Sequence, residues 1–222
     1  MTSGLDNARL AVLVHEVRSP AAALAAVAET VAESAPGDPA RRELARLAVA
    51  ACRAIERIVM DAAIASVRLE PVDVGILVRE AVASHIVRGA DVVAEAEEDG
   101  LVVDGDPVRL LQAVDNLVAN ALVHGGGARV FVRTTRSDGD VHIAVSDAGP
   151  GISASEQERI FELGVSLAGE TPGSGVGLAL VRALVDAHGG HVSVESAPGA
   201  GSTFTIALPT RSAQPDTRAS SS

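Results

Sequence analysis

Val141-His142-Ile143-Ala144-Val145-Ser146, followed at once by Asp147-Ala148-Gly149-Pro150-Gly151-Ile152, is the stretch that decides how this chain folds. Its first half alternates apolar with small or polar residues, the mark of a strand with one buried face. Its second half sets a carboxylate at the strand end and then glycines, which let a flat ligand approach the backbone. A carboxylate in that place can accept a hydrogen bond from an adenine amino group. An ordinary strand-ending turn has the same composition, so alone the motif decides nothing.

Outward from that stretch the pattern stays mixed. Ser137-Asp138-Gly139 is a turn that pairs the strand with another at Arg129–Thr134. Upstream, Asp104-Gly105-Asp106-Pro107 opens a strong helix that runs to about His124. Before it lie a connector at Leu69-Glu70-Pro71, a helix over about Val74–Ser84, and strands at Asp91–Ala96 and Leu101–Val103. Downstream the pattern predicts a short helix at Ala154–Phe161, a glycine-containing flexible stretch, a helix at Val176–His188 and strands at His191–Glu195 and Ser202–Leu208. Helices gathered on one face of a mixed sheet make an α/β sandwich. This domain is expected to span 69–209, with 210–222 as a Ser/Thr/Pro-rich disordered tail.

Residues 1–68 read differently. Leu10, Val14, Val17, Ala21, Leu24, Ala28 and Val31 alternate steps of four and three, the seam of a helix bundle. Ala35-Pro36-Gly37-Asp38-Pro39 breaks the helix, and Leu44, Ala48, Ala51, Ile55, Ile58, Ala62 and Ala65 repeat the rhythm. One hairpin cannot bury both stripes, so a homodimeric four-helix bundle is expected. The overall class is therefore α+β. His15-Glu16-Val17-Arg18-Ser19-Pro20 interrupts the first helix with an imidazole, a carboxylate and a guanidinium. His15 falls one residue past a seam position, reachable from solvent, with Ser19 one turn further on. Pro20 removes an amide donor, so a kink is expected beside the histidine.

Composition narrows the chemistry. The net charge of −11 argues against nucleic acid, whose phosphates need Lys and Arg. No lysine occurs among the 222 residues, which excludes a P-loop and a eukaryotic-type protein kinase, both of which place a lysine on the nucleotide phosphates. The single cysteine, Cys52, lies among apolar residues and suits a reducing compartment. No secretory signal is visible, and the uncharged run Pro20–Ala28 is too short to span a bilayer. A cytoplasmic protein is expected.

Two further clusters carry chemistry. In Asp115-Asn116-Leu117-Val118-Ala119-Asn120-Ala121 the two asparagines share one helix face. Amide oxygens at that spacing suit a Mg²⁺ held mostly by water and phosphates, although surface asparagines are common on helices. Gly173-Ser174-Gly175-Val176-Gly177-Leu178 opens a helix, where exposed amides favour phosphate. Leu180 and the missing βαβ unit argue against a Rossmann site, and the glycines also suit a plain loop.

In this order the clusters resemble the sensor histidine kinases of two-component systems across nearly the whole chain. His15–Pro20 resembles the phospho-acceptor box, and Asp106-Pro107 with Arg109, Gln112, Asn116 and Asn120 resembles the N box. Asp147–Ile152 resembles the first glycine box, Ile160-Phe161-Glu162 the F box, and Gly173–Leu178 the second glycine box. The run Ala187-His188-Gly189-Gly190-His191 through Gly201-Ser202-Thr203-Phe204 follows the same family.

The resemblance implies a dimerisation and phosphotransfer hairpin, then a Bergerat-type ATP-binding domain. It implies ATP and Mg²⁺ as cofactors, with Asn120 on the metal, Asn116 assisting, and Asp147 selecting adenine. It places Gly149, Gly151, Gly173, Gly175 and Gly177 around the nucleotide. His15 is then the phosphoryl acceptor, with Glu16 taking its ring proton, and the phosphoryl group passes to the receiver domain of a response regulator. Ser19 stands where kinases that also act as phosphatases usually carry Thr or Asn. Val123 replaces a frequent lysine, so His124 is either a phosphate contact or a helix-end histidine on the dipole, and Glu162–Gly173 carries no basic residue. Few residues precede the His15 helix, so either a separate partner is expected to supply the signal or the chain is the catalytic core of a longer protein. The competing expectation is an adaptor that passes phosphoryl groups through His15 without ATP. A serine kinase of the same ATP fold would leave the hairpin without a purpose.

His85 and His142 have no partner in the sequence pattern. His188 and His191 read as a turn and a strand start rather than a metal pair.

Overall fold

The computed structural model of the chain describes residues 48, 67–96, 100–162, 165 and 177–211. The hairpin expected at 1–68 and the residues His15, Glu16, Ser19, Gly173 and Gly175 lie outside them, apart from 48, 67 and 68.

The first described strand is β1 (Glu70–Asp73), where the sequence pattern suggests only a connector. Pro71 is tolerated because β1 has one partner, β3 (Val102–Gly105), in a two-stranded antiparallel sheet. Helix α1 (Val74–Val87) follows directly, its first turn capped by Asp73, which accepts from the Ile76 amide at 3.0 Å. Helix α2 (Pro107–His124) begins the same way: the Asp106 carboxylate accepts from the Val108 and Arg109 amides, with Pro107 in the first turn.

The main sheet has the order β2-β4-β5-β7-β6. These strands are β2 (Val92–Ala96), β4 (Val130–Ser137), β5 (Asp140–Asp147), β6 (His191–Ser196) and β7 (Ser202–Pro209). The β2–β4 pair is parallel and the others antiparallel, so the sheet is mixed. Val141, Ile143 and Val145 of β5 are fully buried beside Val130 and Val132 of β4 and Phe204, Ile206 and Leu208 of β7. Three helices cover this face: α1, α2 and α3 (Gly177–Ala187). On α2 the buried row is Leu110, Ala113, Val114, Leu117, Val118 and Ala121. That row leaves Asn116 and Asn120 on the flank, half-buried. The opposite sheet face is only partly exposed, with Phe131 42% exposed and Ala207 buried.

With three phenylalanines in the chain, one aromatic pair closes the core: Phe161 meets Phe204 edge-on at 6.3 Å between centroids. The helix expected at Ala154–Phe161 is reduced to turns and one 3₁₀ turn, Arg159–Phe161. Tertiary bonds account for the difference. The Gln157 side chain donates to the carbonyls of Ile152 and Ser196, holding the segment against β6. Buried Arg109 loses hydration, which pulls its guanidinium below its usual pKa, and the adjacent Asp106 carboxylate opposes that effect. Past β7 the chain remains attached: Arg211 N donates to Val102 O, and Thr210 bridges to Val103. Among the described residues no helix is long and apolar enough to cross a membrane.

Candidate functional site

The end of β5 is where the site is built. The Asp147 carboxylate bends back so that Oδ1 accepts from the Gly149 amide at 2.8 Å. Its second oxygen, Oδ2, makes no hydrogen bond to the described residues and is left as an acceptor. The loop that follows is squeezed between two other segments. A Cβ on Gly149 would lie 2.3 Å from the carbonyl oxygen of His124, the last residue of α2. A Cβ on Gly151, whose φ is +73°, would lie 1.9 Å from the Ala197 carbonyl in the β6–β7 turn. The backbone at His124 therefore lies against the loop that carries Asp147, Gly149 and Gly151.

Two more glycines complete the packing: Gly125, which sequence reasoning missed, and Gly201, from the closing run that resembles the family. A Cβ on Gly125 would meet the Ala121 carbonyl at 2.2 Å and Asp147 Cβ at 3.0 Å. One on Gly201 would meet the Asp147 carbonyl at 2.1 Å. Ser196 is a second omission. Its hydroxyl accepts from the Ile152 amide at 2.8 Å and donates to the Gly201 carbonyl at 2.7 Å. That single proton is then used, so the Ser202 hydroxyl must donate to Ser196 across their 3.0 Å contact. Neither Ser196 nor Gln157 lies in a recognisable box, so only the tertiary pairing reveals them.

The asparagine face belongs to the same region. Asn116 donates through Nδ2 to the Gln112 carbonyl at 2.7 Å, which fixes the plane of its amide. Asn120, one turn before His124, makes no side-chain hydrogen bond to the described residues. No cluster of three His, Cys, Asp or Glu able to hold a metal occurs among the described residues. Amide oxygens are hard donors, and a pair of them suits a Mg²⁺ that keeps most of its ligands from water and phosphate.

Helix α3 reaches the site from the other side. Its C-terminal His188 bonds to Asp106 at the start of α2, and the two helices pack side by side, so they run antiparallel. Gly177 is the first residue of α3.

His85, partnerless in the sequence pattern, gains a neighbour here. Its Nε2 lies 3.4 Å from Asp115 Oδ1, longer than a well-formed hydrogen bond, so the contact is chiefly electrostatic. Burial pushes the Asp115 carboxyl above its usual pKa; His85 and Arg88 oppose that shift and Glu80 adds to it. A raised pKa means that the folded state holds this proton more tightly than the unfolded chain. Stability is thus lost as pH rises from the ordinary carboxylate value towards the raised one. Asp115→Asn should be more stable than the parent at neutral pH and lose that advantage below about pH 3.9. Thermal midpoints measured from acid to neutral pH check this, and a constant difference would contradict it. His142 Nε2 is buried on the sheet face opposite the helices without a hydrogen-bond partner among the described residues.

Comparison with known proteins gives the arrangement its context. The family described as Histidine kinase-, DNA gyrase B-, and HSP90-like ATPase matches residues 105–212. Over 211 residues the chain is 35% identical to the sensor-like histidine kinase SenX3 of Mycobacterium tuberculosis, covering 88% of this chain and 52% of that one. It therefore spans about half the length of the curated relatives it matches. A solved structure of the mycobacterial sensor histidine kinase MprB is 33% identical with a TM-score of 0.58, covering 65% of this chain and 99% of that one. Full-length ShkA, crystallised in complex with AMPPNP, has a TM-score of 0.62 at 26% identity, covering 92% of this chain and 46% of that one. A mixed sheet under three helices, an aspartate at the end of β5 and these relatives agree, and the chain belongs to the sensor histidine kinases of two-component systems.

Proposed function

We propose that the chain is an ATP-dependent histidine autokinase that phosphorylates His15 and hands the phosphoryl group to an aspartate of a response regulator. The observation that carries this reading is the Asp147 carboxylate. One of its oxygens is bound to the Gly149 amide, and the other stands open at the loop that packs against the asparagine helix.

In this reading Asp147 receives the adenine amino group. Gly149 and Gly151 let the ring lie against the loop. Gly173, Gly175 and Gly177 present amides to the phosphates at the start of α3. Asn120, assisted by Asn116, holds Mg²⁺, and His124 contacts a phosphate in place of the missing lysine. ATP with its Mg²⁺ supplies the γ-phosphoryl group and neutralises its charge. A ring nitrogen of His15 then attacks the γ-phosphorus in line. The bond to the bridging oxygen breaks, ADP departs with that electron pair, and Glu16 accepts the ring proton. Residues 1–68 form the homodimeric phosphotransfer hairpin, 69–209 the nucleotide domain and 210–222 a tail. The reaction takes place in the cytoplasm. Ser19 supplies the hydroxyl for an accompanying phosphatase reaction.

Incubation with γ-labelled ATP and Mg²⁺ tests the reading. A label on the protein that is lost in acid and kept in base marks a phosphohistidine and supports it. Protein freed of nucleotide that never becomes labelled overturns it in favour of an adaptor, and an acid-stable label overturns it in favour of a serine kinase. Asp147→Asn exchanges a charged acceptor for a neutral amide. It should weaken ATP binding by about 10- to 100-fold, the measure of one charge-assisted hydrogen bond. Calorimetric titration reads this directly, and an unchanged Kd would remove Asp147 from the site.

A further inference from the structure

His188 is buried and lies outside every group assigned to the nucleotide above. Its ring is held at three places. Nε2 accepts from the Asp106 amide at 2.9 Å. Nδ1 must then carry the proton and donates to the Leu184 carbonyl at 2.6 Å. The ring edge rests on Gly105, where a Cβ would come within 3.1 Å of His188 Cδ2 and 2.5 Å of Leu110 Cδ1. The imidazole therefore cross-links the C-terminus of α3 to the residue that caps α2.

Asp106 is itself shared. Its Oδ1 accepts from the Val108 and Arg109 amides, and its Oδ2 accepts from the Arg68 amide at 3.1 Å. Arg68 lies where the chain leaves residues 1–68 and approaches β1. One buried side chain and one carboxylate thus join three segments: the incoming chain, the start of α2 and the end of α3.

Those two helices run antiparallel; α2 carries the asparagine pair in its second half, and α3 begins at Gly177, at the end away from His188. A displacement at the pinned end of two rigid, side-by-side helices is transmitted along both of them. We infer that His188 is a positioning residue: through Asp106 it sets the spacing of α2 and α3 at the nucleotide and ties that spacing to the incoming chain at Arg68. The inference rests on the nucleotide reading given above. Asp106 belongs to the boundary of the N box, but its bond to His188 and its bond to Arg68 concern the joining of segments, not a contact with nucleotide.

Three variants of the full chain test it, with Mg·ADP as the probe. His188→Leu keeps a similar volume but strands the Asp106 amide in the core. It should raise the Kd for Mg·ADP about tenfold, on the scale of one buried hydrogen-bonding group left unpaired. His188→Gln can present an acceptor in the place of Nε2 and should bind nearly as the parent does. Val132→Ala removes buried volume from β4 without touching the junction and should leave the Kd unchanged although it lowers stability.

His188→Leu that binds as the parent does overturns the inference, and so does Val132→Ala that weakens binding equally. Should His188→Leu fail to fold, hydrogen exchange on the parent protein decides. The Asp106 and Arg68 amides should slow by about threefold or more on saturation with Mg·ADP. Unaltered exchange at both, beside slowed exchange at the end of α2, overturns the inference. A parent chain that does not bind Mg·ADP at all instead overturns the nucleotide reading.

Discussion

His15→Gln should abolish the acid-labile label completely while leaving the affinity for ADP unchanged. Glutamine keeps length, polarity and helix propensity close to those of histidine. It has no nitrogen lone pair able to attack phosphorus, because its amide nitrogen is delocalised into the carbonyl. The chemical step therefore has no substitute group to use. In the proposed reading nucleotide binding rests on Asp147, the glycine loop and the asparagine helix, all of which lie beyond residues 1–68 in the sequence. A His15→Gln protein that still labels in acid-labile form would move the acceptor to another residue. One that loses ADP binding as well would mean that the hairpin helps to build the nucleotide site.

Gly151→Ala carries the second-largest effect, and Gly127→Ala is its control. Both glycines have nearly the same backbone, with φ of +73° and +77°. A left-handed conformation alone costs an alanine about 1–2 kcal/mol. At Gly127 nothing lies within 4 Å of the added Cβ, so that cost should be the whole of it. At Gly151 the Cβ would sit 1.9 Å from the Ala197 carbonyl oxygen and 2.7 Å from its carbon, both backbone atoms. Neither can rotate away. The Pro150 carbonyl accepts from the Gly199 amide and the Ile152 amide donates to Ser196, so the two strands of chain are stitched on both sides of the clash. The loop must separate from the β6–β7 turn, and a loss of about 4 kcal/mol or more is expected. Amide exchange of β5 and β7 under native conditions reads both values. Equal losses at the two positions would show that strain, and not packing, sets the requirement for glycine.

The local chemistry of the fold was legible because its signals are short-range. Asp106-Pro107 caps a helix through atoms two and three residues away, and the alternation in Val141–Ser146 reports burial on one face of its own strand. The boundaries of α2, β5 and α3 accordingly fall within one or two residues of those that periodicity predicts. Segments whose conformation depends on distant partners were misread. Glu70–Asp73 is a strand only because Val102–Gly105 lies beside it. Ala154–Glu158 fails to complete a helix because Gln157 is engaged by Ile152 and Ser196.

For the site, sequence by itself determined the donor types and their order: two amides four residues apart, a carboxylate at a strand end, and a glycine turn before a helix. Those are properties of residue identity and spacing along one element. Tertiary structure alone decided that Gly125 and Gly201 pack against Asp147 and that His188 grips Asp106. The contacts of Gly125 and of Gly201 with Asp147, and that of His188 with Asp106, join positions at least 22 residues apart in the chain. Close packing between distant segments leaves no periodic trace in either segment, and so it becomes visible only once the chain has folded.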